Sequence, residues 1–328
     1  MVRDAVSVKA LLAALALAAL SATSSAQSAK VYRIGFLETI SASANKPHLE
    51  AFLRGLKEAG YVEGRNLVID YRSVEGRSDR FAELAKDLVR AKPDVIVTRG
   101  TAAALAARDA GSVPVVMAAV ADPVGTKIVA SLAHPGGHVT GLTAIVNELH
   151  GKRLELVREL LPSAKSVAYI VNPTNPNSRR QFAEISNRGR ALGFEARSFE
   201  ANTSESLNRA LEAIVAQHID ALLLSVEGLF VANRAAIIDF AARSRLPVMY
   251  SARDFVDEGG LVSYGVDYAH MYYRAASYVA KVFKGANPGD LPIEQPTKFE
   301  LIVNLKSVKA LGLSIPRELL LRADEVIQ

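Results

Sequence analysis

The residues that could do chemistry are sparse, and their spacing decides what they can do. Of six histidines, only His134 and His138 stand close together. The Pro135-Gly136-Gly137 between them breaks the helical spacing that would put two imidazoles on one face for a metal, so the stretch reads as a surface turn. The absence of cysteine excludes disulfides, thiolate metal sites and thiol nucleophiles together. The 21 glycines contain no G-x-G pair, which removes the dinucleotide fingerprint, and Gly151-Lys152 has Val146 where a phosphate loop needs glycine. No G-x-S-x-G elbow occurs, and Ser43 and Lys46 have serine–lysine spacing without its companion motifs. The acidic residues form no metal-loop pattern. The sequence nominates no catalytic residue, no metal site and no cofactor, and the expectation is a protein that is not an enzyme.

The elements that would position any site alternate regularly. Val31 to Leu37 reads as a strand, and Leu49, Phe52, Leu53 and Leu56 form a helical stripe ended by Gly60. Leu67 to Tyr71, Asp94 to Thr98 and Val115 to Met117 are further strands, separated by a stripe from Phe81 to Val89 and a helix from Thr101 to Ala110. Strands alternating with helices imply parallel sheets covered on both faces. The second half repeats the grammar: a strand at 166–171, a helix at 179–192, then Gly193-Phe194 where Gly60-Tyr61 stood. Asp220 to Leu224 answers Asp94 to Val97, and Leu246 to Met249 answers Val113 to Met117, at a near-constant separation. The expected fold class is therefore α/β, two doubly wound, Rossmann-like lobes. The chain is expected to cross between them near 141, 265 and 296, giving a lobe of 30–141 plus 297–328 and a second of 142–296. Several crossings side by side make a hinge, and two lobes on a hinge enclose a cleft.

The first 26 residues read as an address. Arg3 and Lys9 precede an apolar run from Ala10 to Leu20, and Ser24-Ser25-Ala26 supplies small residues for cleavage after Ala26. The run is shorter than the roughly 20 apolar residues that span a bilayer. A cleavable signal peptide and a periplasmic mature chain are expected. A total of 328 residues, half of them hydrophobic and 22% charged, makes about two globular domains and excludes a disordered chain. A net charge of +5 from 39 basic and 34 acidic residues, spread evenly, is too mild for a nucleic-acid partner.

In parallel sheets ligands bind beyond the carboxyl ends of the strands. Those positions carry Glu38-Thr39-Ile40-Ser41, Arg99-Gly100-Thr101 and Asp122 in the first half, and Asn172 to Asn177, Ser225 to Glu227 and Ser251 to Asp254 in the second. Gly100-Thr101 opens a helix whose free N–H groups suit a carboxylate, although Thr101 alone also suits an N-cap. Asn172, Asn175 and Asn177 fit turn closure as well as ligand contact. Asp122, Glu227, Asp254 and Asp267 are candidate acceptors for an ammonium group, and Tyr250 and Tyr264, at strand ends, candidate flanks for an apolar or aromatic ligand.

At these residues the chain resembles the ABC transporter substrate-binding proteins of the tryptophan-binding-protein-like group. The resemblance spans residues 31–327 and rests on Gly60-Tyr-Val-Glu-Gly-Arg-Asn66, Pro93-Asp94-Val-Ile-Val97, Gly100-Thr101 and Asp122-Pro-Val-Gly125. It continues through Pro135-Gly136-Gly137, Val139-Thr-Gly-Leu142, Asn172-Pro173 and Leu311-Gly-Leu-Ser-Ile-Pro316. It implies a type I periplasmic binding protein with three hinge crossings. It also implies an amino-acid ligand, often aromatic, and delivery to a membrane permease driven by an ATPase. Carried over, Thr101, Asp122, Asn172, Glu227, Ser251 and Asp267 would hold the ligand's carboxylate and ammonium. The expectation is a monomeric solute receptor with ligand residues Thr39, Ser41, Gly100, Thr101, Asp122, Asn172, Asn175, Glu227, Ser251, Tyr264 and Asp267. Its rivals are a sensory receptor core of the same fold, disfavoured by the leader and the end at Gln328, and an enzyme on a doubly wound scaffold.

Overall fold

Strand β1 (Tyr32–Glu38) leads to helix α1 (Lys46–Glu58), and the pattern repeats through β2 (Leu67–Ser73), α2 (Phe81–Arg90), β3 (Val95–Arg99), α3 (Thr101–Ala110), β4 (Val115–Val120) and β5 (Val139–Thr143). The middle of the chain runs α4 (Val146–Leu160), β6 (Ser166–Val171), α5 (Ser178–Ala191), β7 (Glu195–Glu200), α6 (Ser204–Ala216) and β8 (Ala221–Leu224). It continues with α7 (Gly228–Ala232), α8 (Arg234–Ser244), β9 (Val248–Tyr250), α9 (Arg253–Asp257) and β10 (Val262–Val266). The last elements are α10 (Tyr268–Phe283), β11 (Phe299–Asn304), α11 (Leu305–Ala310), α12 (Arg317–Arg322) and β12 (Glu325–Ile327). This computed structural model describes residues 30–328, apart from the side chains of 146–148; the signal peptide expected at 1–26 lies outside the described residues.

The strands form two sheets, one of five strands ordered β2-β1-β3-β4-β5 and one of seven ordered β12-β11-β10-β9-β8-β6-β7. Every pairing is parallel except β10 with β11. The fold is thus the expected α/β one of two mostly parallel sheets. Strands β3 and β4 are buried along their whole length, because helices cover both faces and both alternating sets of side chains need apolar cover. The helices follow from their stripes: Phe81, Leu84, Ala85 and Leu88 make the buried face of α2. Gly60 and Gly193 end α1 and α5 at φ +93° and +75°, and Tyr61 and Phe194 donate back to the carbonyls of Leu56 and Gly189. A side chain at either glycine would be strained in this left-handed turn.

Lobe membership differs from the sequence reading, which gave 142–296 to the second lobe and 297–328 to the first. Helix α10 packs on α1 and on β4, so the stretch it begins belongs with the five-stranded sheet. Its return segment lies beside β5, with Glu294 N–H donating to the Gly141 carbonyl at 2.9 Å and Thr143 N–H to the Glu294 carbonyl at 2.9 Å. Strand β11 joins the other sheet by antiparallel pairing to β10, and β12 follows it. The tail reads in sequence as one more strand and helix that neither lobe needs; the pairing edge offered by β10 decides. The chain passes between sheets after β5, after β10 and before β11.

Candidate functional site

The carboxyl ends of the two sheets face one cavity. Its first wall comes from Thr39 after β1, Arg99 at the end of β3, Gly100 and Thr101 at the start of α3, Ala121 after β4, and Tyr268 on α10. Its second wall comes from Thr174, Asn175 and Gln181 around the start of α5, and from Val226, Glu227 and Gly228 after β8. The cavity volume is about 70 Å³. On the scale where one water needs roughly 10–15 Å³, that is room for about five to seven waters.

Each wall carries a distinct polar device. On the first, α3 starts at Thr101 directly after Gly100, whose own N–H is already given to the Ala119 carbonyl at 2.9 Å. No side chain caps this helix start, so the N–H groups of its first turn carry the positive end of the helix dipole into the cavity wall. The Thr101 hydroxyl donates to the Ala121 carbonyl at 3.4 Å. On the second wall, Glu227 accepts hydrogen bonds from the Asn175 side-chain amide at 2.6 Å and from that of Asn172 at 3.5 Å. Burial pushes the Glu227 carboxyl up to about 7, with the Asn175 and Asn172 donors pulling the other way. Asn172 itself is buried and also accepts from the Thr174 N–H and hydroxyl, at 3.0 and 2.7 Å, so it fixes the loop rather than lining the cavity.

Behind the first wall lies a buried polar cluster. The Glu38 carboxylate accepts from the Tyr272 hydroxyl, from the Asn45 amide at 3.3 Å and from the Thr39 N–H at 3.1 Å. Burial raises the Glu38 carboxyl above its ordinary range, and the positive charge of Arg99 is the largest influence opposing it. His48 donates to the Asn45 oxygen at 2.9 Å; burial and then Arg99 lower it to about 4, so it is neutral at neutral pH. Burial works against the Arg99 charge, but Tyr272 and Glu38 hold the guanidinium above its ordinary range.

Thr39, Gly100, Thr101, Asn175 and Glu227 are therefore brought together around one cavity. The other sequence candidates are placed elsewhere. Ser41 bonds to Ser43 at 3.0 Å beside a separate open groove. Asp122 pairs with Arg180 of α5 at 2.8 Å. Ser251 is buried and donates to the Leu224 carbonyl at 2.9 Å. Tyr264 stacks on Phe299, and its carbonyl accepts from Arg153 at 2.7 Å. Asp267 caps α10 through the His270 N–H at 2.9 Å and pairs with Lys298 at 2.8 Å. Of the further ammonium acceptors and flanks considered, Asp254 sits 3.8 Å from His48, and Tyr250 is buried against Phe255. In each case the side chain has a partner of its own within the protein, in most of them far away in sequence, and strand-end position alone does not reveal it.

Sequence reasoning missed Tyr268, Phe81 and Gln181 and named Arg99 only as a strand-end position, with no ligand contact assigned to it, although all four line the cavity. An arginine at the last position of a strand ordinarily reads as exposed; the available signal was its place directly before Gly100-Thr101.

A cavity closed by two parallel-sheet lobes, polar on both walls and set at the strand ends, defines a small-molecule binding protein of the two-lobed α/β class. The chain belongs to the ABC transporter substrate binding protein family, which it matches over residues 33–327. It is 29% identical over 285 residues to a tyrosine-binding protein of Clostridioides difficile, covering 87% of this chain and 82% of the relative. A solved ABC domain in complex with L-Trp from Streptococcus pneumoniae is 26% identical with a TM-score of 0.84, over 91% of this chain and 100% of that one. A conserved domain protein from Vibrio cholerae is 29% identical, also with a TM-score of 0.84, over 90% of this chain and 100% of that one.

Proposed function

We propose that this protein captures an amino acid outside the cytoplasmic membrane and presents it to the permease and ATPase of an ABC importer, without chemical change. The observation that carries this reading is the opposition of the uncapped α3 N-terminus on one wall and Glu227 on the other, across one cavity. A carboxylate suits the first and an ammonium the second, and a zwitterion offers both. Phe81 and Tyr268 add aromatic surface to the lining, in keeping with relatives named for tyrosine and found with L-Trp. The lobes act by closing: a ligand that touches both walls only when they meet favours the closed state by its differential affinity. The leader at 1–26 would deliver a monomeric mature chain to the periplasm.

The test is a thermal-shift screen of the mature chain against the L-amino acids, sugars, nucleosides and simple carboxylates, followed by titration calorimetry of the hits. L-Tyrosine, L-tryptophan or another amino acid should raise the melting temperature and be recovered unchanged. Stabilisation by sugars or nucleosides alone would overturn the amino-acid reading, and conversion of the bound compound would overturn the receptor reading.

A further inference from the structure

The polar inventory of the first wall leaves one group unaccounted for. Arg99 is 3% exposed and lines the cavity. Its guanidinium lies 4.8 Å from the centre of the Tyr268 ring, and one nitrogen, Nη1, donates to the Asn45 oxygen at 3.4 Å. The other, Nη2, is buried without any hydrogen-bond partner among the described residues. Glu38 does not fill this gap: its carboxyl accepts from Tyr272, Asn45 and the Thr39 N–H, and no hydrogen bond joins it to Nη2. A buried guanidinium with an unmet donor is among the costlier arrangements a protein keeps, and its fork geometry matches a carboxylate two-point fashion.

Resting on the reading above, the geometry points to Arg99 as the residue that grips the ligand's carboxylate, its Nη2 donating to one carboxylate oxygen while the first turn of α3 serves the other. The adjacency of Arg99, Gly100 and Thr101 puts a full positive charge and a helix N-terminus on the same wall. A ligand so held must carry an anionic carboxylate; an amine or an amide of the same shape would leave Nη2 unmet. Tyr268 backs the guanidinium with its ring face, which favours the cation without competing for its N–H groups.

The experiment compares six pairs of probes on the mature protein by calorimetry: L-tyrosine against L-tyrosinamide, L-tryptophan against L-tryptophanamide, and each amino acid against its amine (tyramine, tryptamine) and its deaminated acid. Wild-type protein should bind the free acids about 10- to 100-fold more tightly than the amides, the range of one charge-assisted hydrogen bond to a buried group. In Arg99→Met, folded by circular dichroism, that discrimination should fall to within about threefold. Retention of the full acid-over-amide preference in Arg99→Met would overturn the assignment and leave the arginine as counter-charge to Glu38. Should Arg99→Met fail to fold, Arg99→Lys decides. It keeps the charge and loses the fork, so loss of about tenfold in acid binding with amide binding unchanged supports the assignment. Wild-type affinities for both would overturn it. Equal binding of acid and amide by wild type removes the Arg99 role and leaves the amino-acid reading standing. Binding of the deaminated acids only, dependent on Arg99, does the reverse, and binding of none of the probes overturns the Arg99 assignment while leaving the other amino acids to the thermal-shift screen.

Discussion

Arg180 of α5 reaches across the cleft to Asp122 after β4, Nη2 lying 2.8 Å from the Oδ2 of the carboxylate. A second guanidinium nitrogen donates to the Gly125 carbonyl at 2.9 Å, so one side chain of the seven-stranded lobe holds two groups of the five-stranded one. Asp122 is kept in place by accepting from the Gly125 N–H at 2.8 Å, with its own backbone at φ +43°. This is a clasp between the two lobes, and it accounts for Asp122 better than ligand contact does.

The clasp is half exposed, so its worth is modest. Exposed ion pairs contribute about 0–1 kcal/mol, and the bond to the Gly125 carbonyl adds a similar amount. Arg180→Gln should weaken ligand affinity by about two- to tenfold through faster release, with the ligand-free melting temperature little changed. The gap between wild type and variant should narrow in about 0.5 M salt, where the Debye length falls to a few ångströms. Stopped-flow release rates at low and high salt check this; a variant that releases ligand at the wild-type rate at low salt would dismiss the clasp.

Gly228, at the first position of α7, meets Thr39 directly. A Cβ there would stand 2.9 Å from the Thr39 Cβ and 3.3 Å from its carbonyl oxygen, closer than the walls allow. The two residues belong to opposite lobes, so the added methyl in Gly228→Ala acts on closure and not on either lobe's own packing. Overpacking costs typically about 1–3 kcal/mol, which predicts affinity weaker by about 5- to 150-fold. Small-angle scattering should show the variant more open than wild type at saturating L-tyrosine. Unchanged affinity would mean that the lobes meet elsewhere when the ligand is bound.

Much of the architecture is legible in residue order because buried parallel strands must be apolar on both faces and helices must show a stripe. Val95 to Val97, Leu222 to Leu224, and the Gly60 and Gly193 stops all declare themselves locally. What is not local is not legible: Phe299 to Val303 is a strand in any reading, but only the free edge of β10 assigns it a sheet. The same limit governs the site. Thr101 and Glu227 follow from the strand-end rule, whereas Ser251 and Asp267 obey that rule and spend their polar atoms on Leu224, His270 and Lys298. Arg99 is the converse case: a charged residue at a strand end whose burial comes from α10, whose first residue, Tyr268, lies far along the chain.

Glu227 makes the binding reaction sensitive to protons in a way that separates it from general acid unfolding. In the ligand-free protein its carboxyl is raised to about 7 by burial, so it is half protonated at neutral pH. An ammonium group prefers the ionised form, so binding expels the proton, and apparent affinity should fall about tenfold per pH unit below 7 and level off above about 8. The neighbours do not titrate there: Tyr268 and Tyr169 are raised by burial and stay neutral, and His48, lowered to about 4, stays neutral too. Stability has the opposite sign. A raised folded-state value means the native protein holds a proton that the unfolded chain gives up. The Glu227 contribution to ligand-free stability therefore grows as pH falls from about 7 toward the ordinary value of 4.5. Glu227→Gln should flatten both dependences and cost affinity mainly at high pH, where wild type gains its charge. Calorimetry of L-tyrosine binding between about pH 5.5 and 8, in two buffers of different ionisation enthalpy, reads the released proton directly. An affinity that does not move with pH, or moves equally in Glu227→Gln, would take the ammonium away from this carboxylate.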